Sequence, residues 1–510
     1  MGFTAESGGE VLKTVCLIIP PSPFLLDERV FMSLGILKIA AVLERRNVPV
    51  EVLDLSGIQN FTEALSCHVE HSETMFYGIT ATTPQMPSAS ILASVIRRIR
   101  PGARIILGGP HPTLVLAACK KEKTPGRASR ARNELNEVFD VIVAGDGEEA
   151  IFRALEANVP KWIDADDPKG LLFLTNEALN ELPYPARHLV DVESYHYYVD
   201  GERATSLIAQ LGCPFGCGFC GGRNSPMLRR VRMRTTKSVV DEVKSLYNVY
   251  GVKGFMFYDD ELNVNPRMIE MMNEIEKAQD ELGVQFRLRG FLKSQLFTDD
   301  QAKAMVRAGF KWILVGFESG SERILTNINK RSTRFENTRC VEIAKRHGLK
   351  VKALMSIGHP GESLETLKET RDWLLMAKPD DFDVTIITPY PGSPYYDDSI
   401  QDDSGDWVYT YEKTGDKLYS EEVDYFKTAD YYKGDPNGGY RSYVYTDNLS
   451  KGELVKERDK LEFDIRRELN IPFNPSMPAS RFEHSMGNMS LPPNILKSSN
   501  KLRGGHSIVN

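Results

Sequence analysis

Gly212-Cys213-Pro214-Phe215-Gly216-Cys217-Gly218-Phe219-Cys220-Gly221-Gly222 is the stretch on which the reading of this 510-residue chain turns. It sets three cysteines at C-x3-C-x2-C spacing in a chain that scatters its other four. Three thiolates on one short loop can hold three irons of a [4Fe-4S] cube and leave the fourth open, because thiolate is the soft ligand such clusters select. The glycines let the loop wrap a cluster and turn backbone N–H groups toward its sulfurs. The alternative is a structural zinc knot of three Cys and one His. Zinc motifs pair their ligands in two separated clips; no second clip exists here, and His188 and His196 precede the loop without a matching spacing. A redox disulfide would leave the third cysteine without a role.

The chain is long enough for two or three domains, each with its own core. Its 41% hydrophobic and 26% charged residues are those of an ordinary soluble protein. A net charge of −7 argues against a general nucleic-acid binder. Seven cysteines, three of them clustered, fit a reducing cytoplasm better than a disulfide scaffold. Met1-Gly2-Phe3-Thr4-Ala5-Glu6 has neither a basic patch nor a long apolar run, and Glu6 stands where a myristoylation signal needs Ser or Thr. The longest apolar runs, such as Val15–Ile19, are too short to span a bilayer. The expectation is a cytoplasmic protein without a membrane partner.

Working outward, residues 11–155 alternate short apolar runs with helical patterns. Thr14–Ile19, Val50–Leu55, Met75–Thr80, Arg104–Leu107 and Val138–Ala144 read as strands; Leu34–Arg45 and Ser88–Arg100 read as helices. Regular alternation predicts a doubly wound parallel sheet, with ligands at the carboxyl ends of its strands. Those ends carry Thr80-Ala81-Thr82-Thr83-Pro84, Leu107-Gly108-Gly109-Pro110-His111-Pro112-Thr113 and Ala144-Gly145-Asp146-Gly147-Glu148-Glu149. Glycines there let the backbone approach a bulky flat ligand, and hydroxyls can reach its polar edge. His111 reads as a loop residue held between two prolines. Lys120–Arg132, with Pro125-Gly126, reads as a solvated basic loop, and 156–200 as a linker strapped across the surface.

From 201 to 396 six further strands alternate with helices: Ser206–Leu211, Gly254–Tyr258, Phe286–Arg289, Trp312–Gly316, Lys350–Ile357 and Asp383–Thr388. This suits a partial (β/α)6 barrel with its site at the strands' carboxyl end, and the cysteine loop follows the first strand. Residues 397–486 form a Tyr-rich α+β extension. Trp407–Tyr445 holds nine of the twenty tyrosines, read as amphipathic packing rather than nucleic-acid stacking. Lys451–Leu469 reads as a charged helix, and residues 487–510 as a flexible tail.

The triplet resembles the signature of the radical S-adenosylmethionine (SAM) enzymes. Upstream, Pro20-Pro21 with Ser33-Leu34-Gly35-Ile36, Gly108-Gly109-Pro110-His111-Pro112 and Gly145-Asp146-Gly147-Glu148 together resemble the Rossmann-like cobalamin-binding domain of the cobalamin-dependent members. Downstream, Tyr258-Asp259-Asp260-Glu261, Gly316-Phe317-Glu318-Ser319-Gly320-Ser321, Ile357-Gly358-His359-Pro360-Gly361-Glu362 and Pro389-Tyr390-Pro391-Gly392-Ser393-Pro394 resemble that family's strand-end motifs. The resemblance covers about residues 11–396. One feature departs from cobalamin proteins at large: D-x-H-x-x-G is absent, and Asp54-Leu55-Ser56-Gly57 occupies its neighbourhood, which implies cobalt with no histidine on its lower face.

What the resemblance implies is as follows. Cys213, Cys217 and Cys220 bind the catalytic cluster, whose open iron SAM chelates. Phe219, Asp259, Glu318, Ser319 and Gly358 contact SAM, with capping of the following helices the alternative for Asp259 and Glu362. Ser33, Thr80, Thr82, Gly108, Gly109, Gly145, Gly147 and Glu148 hold cobalamin. The implied activity is a methyltransferase that uses a 5′-deoxyadenosyl radical and methylcobalamin to methylate an unactivated carbon of a small molecule or peptide, fed by a donor such as flavodoxin or ferredoxin. The alternatives are a cobalamin-binding radical cyclase or rearrangement enzyme without methyl transfer, a methylthiotransferase with a second cluster on Cys16, Cys67 and Cys119, and a non-catalytic cobalamin sensor, which would leave the triplet unexplained.

Overall fold

Six short apolar strands near the amino terminus pair side by side in one direction. In the computed structural model, which describes residues 14–22, 28–430 and 441–472, these are β1 (Val15–Ile19), β2 (Val50–Asp54), β3 (Phe76–Thr80), β4 (Arg104–Gly108), β5 (Val141–Gly145) and β6 (Trp162–Ala165). Their order is β2-β1-β3-β4-β5-β6, all parallel. Strand β1 is buried throughout: Val15, Leu17 and Ile19 enter one core, Cys16 and Ile18 the other. Alternate side chains thus face two helical layers, as a parallel sheet covered on both sides requires. Helices α1 (Leu34–Arg45) and α6 (Gly147–Ala154) pack on the first face. On the second lie α2 (Phe61–His71), α3 (Met86–Ile99), α4 (Pro110–Lys121) and α5 (Arg127–Val138).

Four expectations change here. Val138 ends α5, so β5 starts only at Val141. The supposed basic loop is the end of α4 followed by α5, and Arg127 is buried, its guanidinium 3.6 Å from the Tyr396 ring centre and 4.2 Å from that of Trp407; cation–π contact replaces solvation. His111 is buried in the first turn of α4, with Nδ1 3.1 Å from the Thr83 hydroxyl. The 156–200 segment is no surface strap: it supplies β6, then α7 (Asn176–Glu181) and β7 (Tyr198–Val199), and it buries Leu174, Leu179, Tyr195 and Tyr197.

The second sheet contains β7, β8 (Glu202–Leu207), β11 (Gly254–Phe257), β12 (Arg287–Leu292), β13 (Phe310–Glu318), β14 (Lys350–Ile357) and β15 (Asp381–Ile386), in the order β15-β14-β13-β12-β11-β8-β7. All but β7 run parallel. The sheet curls into a half-barrel. Along β14, Val351, Ala353, Met355 and Ile357 pack outward on the helices. Those helices are α9 (Thr236–Tyr250), α10 (Met268–Leu282), α11 (Asp299–Ala308), α12 (Glu322–Asn327), α13 (Arg334–Arg346) and α14 (Leu364–Ala377). Between β8 and α9, β9 (Gln210–Leu211) and β10 (Arg232–Met233) form an antiparallel ladder that closes the base of the cysteine-bearing loop; the single turn α8 (Pro226–Arg229) lies within it.

Past the barrel come α15 (Pro394–Asp397), a four-stranded antiparallel sheet of β16 (Ile400–Gln401), β17 (Trp407–Thr410), β18 (Lys417–Ser420) and β19 (Val444–Tyr445), and α16 (Lys451–Leu469), which packs on α14 and β15. Tyr411, Tyr425 and Tyr443 are buried, with the Tyr425 hydroxyl donating to the Pro389 carbonyl. Tyr431, Tyr432, Tyr440 and the expected tail lie outside the described residues, as do residues 1–13 with the amino-terminal motif. Among the described residues no helix is long and apolar enough to cross a membrane.

One buried ion pair joins the first parallel sheet to the β9–β10 ladder at the base of the cysteine-bearing loop. Arg232 on β10 reaches Asp146 after β5 at 2.5 Å, with side chains 4% and 3% exposed. Asp146 also accepts from the Leu174 N–H, and Arg232 donates to the Leu174 carbonyl. Arg232→Leu leaves Asp146 buried without its partner, so the urea transition should show a loss of about 3–5 kcal/mol; an unchanged midpoint would refute the pair's role.

Candidate active site

The carboxyl ends of both parallel sheets face one cavity of about 560 Å³. From the first sheet Ser33, Thr80 and Thr82, then Gly108, Gly109, Gly145, Gly147 and Glu148 line it, so the structure brings together all eight residues expected around the flat ligand. Strand β8 contributes Ser206, the segments just past β8 and β11 contribute Ile208 and Tyr258, and β9 of the ladder contributes Leu211. In the order 2-1-3-4-5-6 the direction of strand succession reverses between β1 and β3, and the crevice at such a switch point is where parallel sheets take ligands. Gly35 and Gly108 both line the cavity, and a Cβ on either would meet nothing within 4 Å except the cavity itself. Gly145 has φ +99°, and a Cβ there would run into the backbone of Ala165 and Asp166; only glycine fits this turn. Burial pushes Glu148 up to about 7, and the Asp146 carboxylate adds to the rise. Phe31, from the segment before α1, stacks into the barrel mouth, with ring centres 4.6 Å from Tyr197 and 5.3 Å from Tyr258.

The cysteine loop leaves β8 on this same edge. Gly212 opens it at φ +86°, where a Cβ would strike the Arg230 carbonyl. Backbone bonds then pin the loop: Cys213 N–H to the Leu228 carbonyl (2.9 Å), Gly218 N–H to Ile328 (2.8 Å) and Tyr395 N–H to Gly218 (3.1 Å). The Phe215 and Gly222 N–H groups point at the Cys213 and Cys220 sulfurs and favour thiolate. Burial works against them and pushes both thiols up to about 12. Cys220 is open at its surface yet surrounded by protein mass, while Cys217 is buried. The three sulfurs do not gather as one tetrahedral ion requires, with donors about 3.8 Å apart at a Zn–S distance of about 2.3 Å. Among the described residues only Cys16, Glu51 and His68 converge within 4.8 Å.

Around the loop lies a buried charged network. At the end of β13 the register shifts and Glu318 takes φ +65°. Its carboxylate accepts from Lys330 Nζ at 2.8 Å and from the Ser356 hydroxyl at 2.7 Å. Burial alone would raise its pKa, but the Lys330 ammonium, the Ser356 hydroxyl and His359 together outweigh it and hold the carboxyl below its ordinary value. His359 Nε2 lies 2.8 Å from the same Ser356 hydroxyl, and its ring is 5.5 Å from Phe219. Burial pushes His359 down to about 4. Phe219 packs on Ile324, Leu325 and Ile328. Lys293 is buried with Nζ 4.4 Å from the Phe215 ring centre, donating to the Lys330 carbonyl.

Other expected contacts are occupied elsewhere. Asp259 accepts the Ala209 and Gln210 N–H groups and so fixes the chain before the cysteine loop. The Ser319 hydroxyl lies 2.9 Å from that of Thr370 on α14. Gly358 stands at φ +84° beside Val444 and Ile386. Glu362 accepts from Thr366 in the first turn of α14 and is pushed up to about 7 by burial. Lys330, Lys293 and Tyr395 escaped the sequence reading. They sit in no motif, and only Asn329 and Arg331, both at positive φ, betray the special turn around Lys330.

Comparison with known proteins agrees with this geometry. Residues 207–374 match the Radical SAM superfamily. An uncharacterized methyltransferase of Pyrococcus horikoshii is 26% identical over 408 residues, covering 77% of this chain and 84% of that protein. The anaerobic magnesium-protoporphyrin IX monomethyl ester cyclase of Rubrivivax gelatinosus is 26% identical over 62% of this chain and 57% of its own length. The radical SAM methyltransferase TsrM of Kitasatospora setae, solved with cobalamin and a [4Fe-4S] cluster, shares the fold with TM-score 0.64 and 16% identity over 91% of this chain and 92% of its own.

The Asp259 carboxyl is pushed up to about 7 by burial, whereas its ordinary value is 3.8. The folded chain thus keeps a proton that the unfolded chain has released, and the resulting stability is complete below about pH 4 and drains away as pH rises through about 7. Asp259→Asn keeps an acceptor and has no such proton. Urea midpoints at about pH 5 and about pH 7.5 should therefore fall less in the variant than in the parent; an equal fall would contradict this environment for Asp259.

Proposed function

We infer that this radical SAM enzyme, of the cobalamin-dependent methyltransferase family, transfers a methyl group to an unactivated carbon of a small molecule. The observation that carries the reading is the shared cavity: glycine loops of one sheet and the mouth of the half-barrel bound a single space next to the cysteine loop. Cys213, Cys217 and Cys220 would hold the [4Fe-4S] cluster, the eight lining residues of the first sheet would hold cobalamin, and Phe219 and Glu318 would border SAM. When bound, these groups supply the 5′-deoxyadenosyl radical and the methyl donor.

The chain's own part is to bind, orient and exclude water. Glu318, kept ionised by Lys330, offers an acceptor to an ammonium or a ribose hydroxyl. Phe219 gives a flat ring an apolar wall backed by Ile324 and Ile328. Tyr258, Phe31 and Phe291 form an aromatic rim between the two sheets, with Tyr258 and Phe291 ring centres 6.2 Å apart. A carbon radical attacks whatever it meets, so such a dry, closely fitted compartment is what the reaction demands. A doubly wound corrin-binding sheet facing a partial (β/α)6 barrel meets that demand, with electrons arriving from a small redox protein such as flavodoxin or ferredoxin. A methylthiotransferase is not favoured: among the described residues Cys16 is buried on β1, Cys67 is exposed on α2, and Cys119 on α4 is half-buried, and the three do not converge as a group of donors.

Reconstituted enzyme given methyl-deuterated SAM, reductant and cell extract should yield a product carrying the label; a turned-over product without it rejects methyl transfer. Gly108→Leu fills part of the cavity and should weaken corrinoid retention at least about tenfold, or about 1.4 kcal/mol, with circular dichroism unchanged. Undiminished retention would move the corrinoid elsewhere.

A further inference from the structure

Three donors meet on the second face of the first sheet, near the amino ends of its strands and therefore at the opposite end from the cavity. Cys16 on β1 stands in register with Glu51 on β2 and with Tyr77 on β3. His68, in the last turn of α2, reaches down to the same row. Its Nε2 lies 3.5 Å from the Cys16 sulfur and 3.1 Å from Glu51 Oε1, and all three ligand atoms fall within 4.8 Å of one another. Donors held at about 2.0–2.3 Å from a tetrahedral zinc ion stand about 3.3–3.8 Å apart. Two of the three separations, 3.5 and 3.1 Å, lie near that range, and the third is within 4.8 Å, so small shifts of these side chains bring the three donors to one face of a zinc site.

The surroundings point the same way. Cys16 and His68 are 0% and 6% exposed, and the Glu51 side chain is 38% exposed, so the trio is enclosed on the sheet side and open to entry at one edge. The Tyr77 hydroxyl is buried, has no hydrogen-bond partner among the described residues, and lies in electrostatic reach of both Cys16 and Glu51. A buried hydroxyl left without a partner is costly. We propose that Cys16, Glu51 and His68 form a zinc site, with Tyr77 or a water completing four-coordination, which fastens α2 to β1 and β2. Sulfur, nitrogen and carboxylate oxygen in one set select a borderline ion such as Zn²⁺ over Mg²⁺ or Ca²⁺. On binding, the Cys16 thiol releases its proton to solvent and His68 offers its Nε2 lone pair; no electron is transferred.

This assignment is independent of the active-site reading and is tested apart from it. Because the triplet thiolates would themselves take zinc, the full chain is prepared with Cys213→Ala, Cys217→Ala and Cys220→Ala, exposed to Zn²⁺, gel-filtered and analysed for metal. The expected result is about one zinc per chain, at least about tenfold less after His68→Gln or Glu51→Gln, and a zinc-dependent rise in melting temperature that both variants lose. Neither variant removes a residue from the apolar core, so circular dichroism separates loss of metal from loss of fold. Equal zinc in parent and variants, or no zinc in the parent, would show a hydrogen-bonded trio only and overturn the proposal.

Discussion

Two parallel sheets can share one ligand space only if their carboxyl edges face each other, and the buried contact of Arg232 with Asp146 helps to fix that orientation. Asp146 follows β5 and Arg232 lies on β10, so the same pair ties the glycine turn at Gly145 to the base of the cysteine loop. Exposed ion pairs do little of this kind, because water competes for each charge. Here both groups are withdrawn from water, and Leu174 supplies the remaining hydrogen bonds from the segment between the sheets.

The loop region is charged in a way an apolar core would not tolerate without function. Lys330 and Glu318 form a buried ion pair there, while Lys293, buried, and Glu261, half-buried, have no direct ionic partner among the described residues, and burial pushes Lys293 down and Glu261 up to about 7. Positive groups beside three thiolates lower the electrostatic cost of gathering negative charge there. The backbone N–H groups of Phe215 and Gly222 work in the same direction over a shorter range. Glu318 owes its position to left-handed backbone at a strand end, a strained geometry that the lysine and Ser356 hold in place.

The parts legible beforehand were those with a period or a punctuation mark. Strand β14 was readable because Lys350–Ile357 alternates; the glycine loops were readable because Gly108-Gly109 and Gly145-Asp146-Gly147 stand directly after apolar runs. What escaped depended on distant partners. Arg127 looks solvated until Tyr396 and Trp407, about 270 and 280 positions away, enclose it. Strand β6 is four residues long and has Asp164 at its centre, so only pairing with β5 defines it. Asp259 and Ser319 were correctly placed at strand ends, but direction along the strand decided whether they turned to the cavity or to the backbone and helix behind it.

Arg127 also closes a circuit. The first sheet meets the β9–β10 ladder through Arg232, the half-barrel that carries this ladder continues into the Tyr-rich extension, and that extension returns to the first sheet by enclosing Arg127 between Tyr396 and Trp407. A hinge needs a free side about which to swing, and this arrangement leaves the two sheets tethered at both ends. Parting the two sheets must therefore undo one of the two tethers: the ion pair of Arg232 with Asp146, or the clasp in which Arg127 is buried between two rings and donates to the Tyr396 carbonyl.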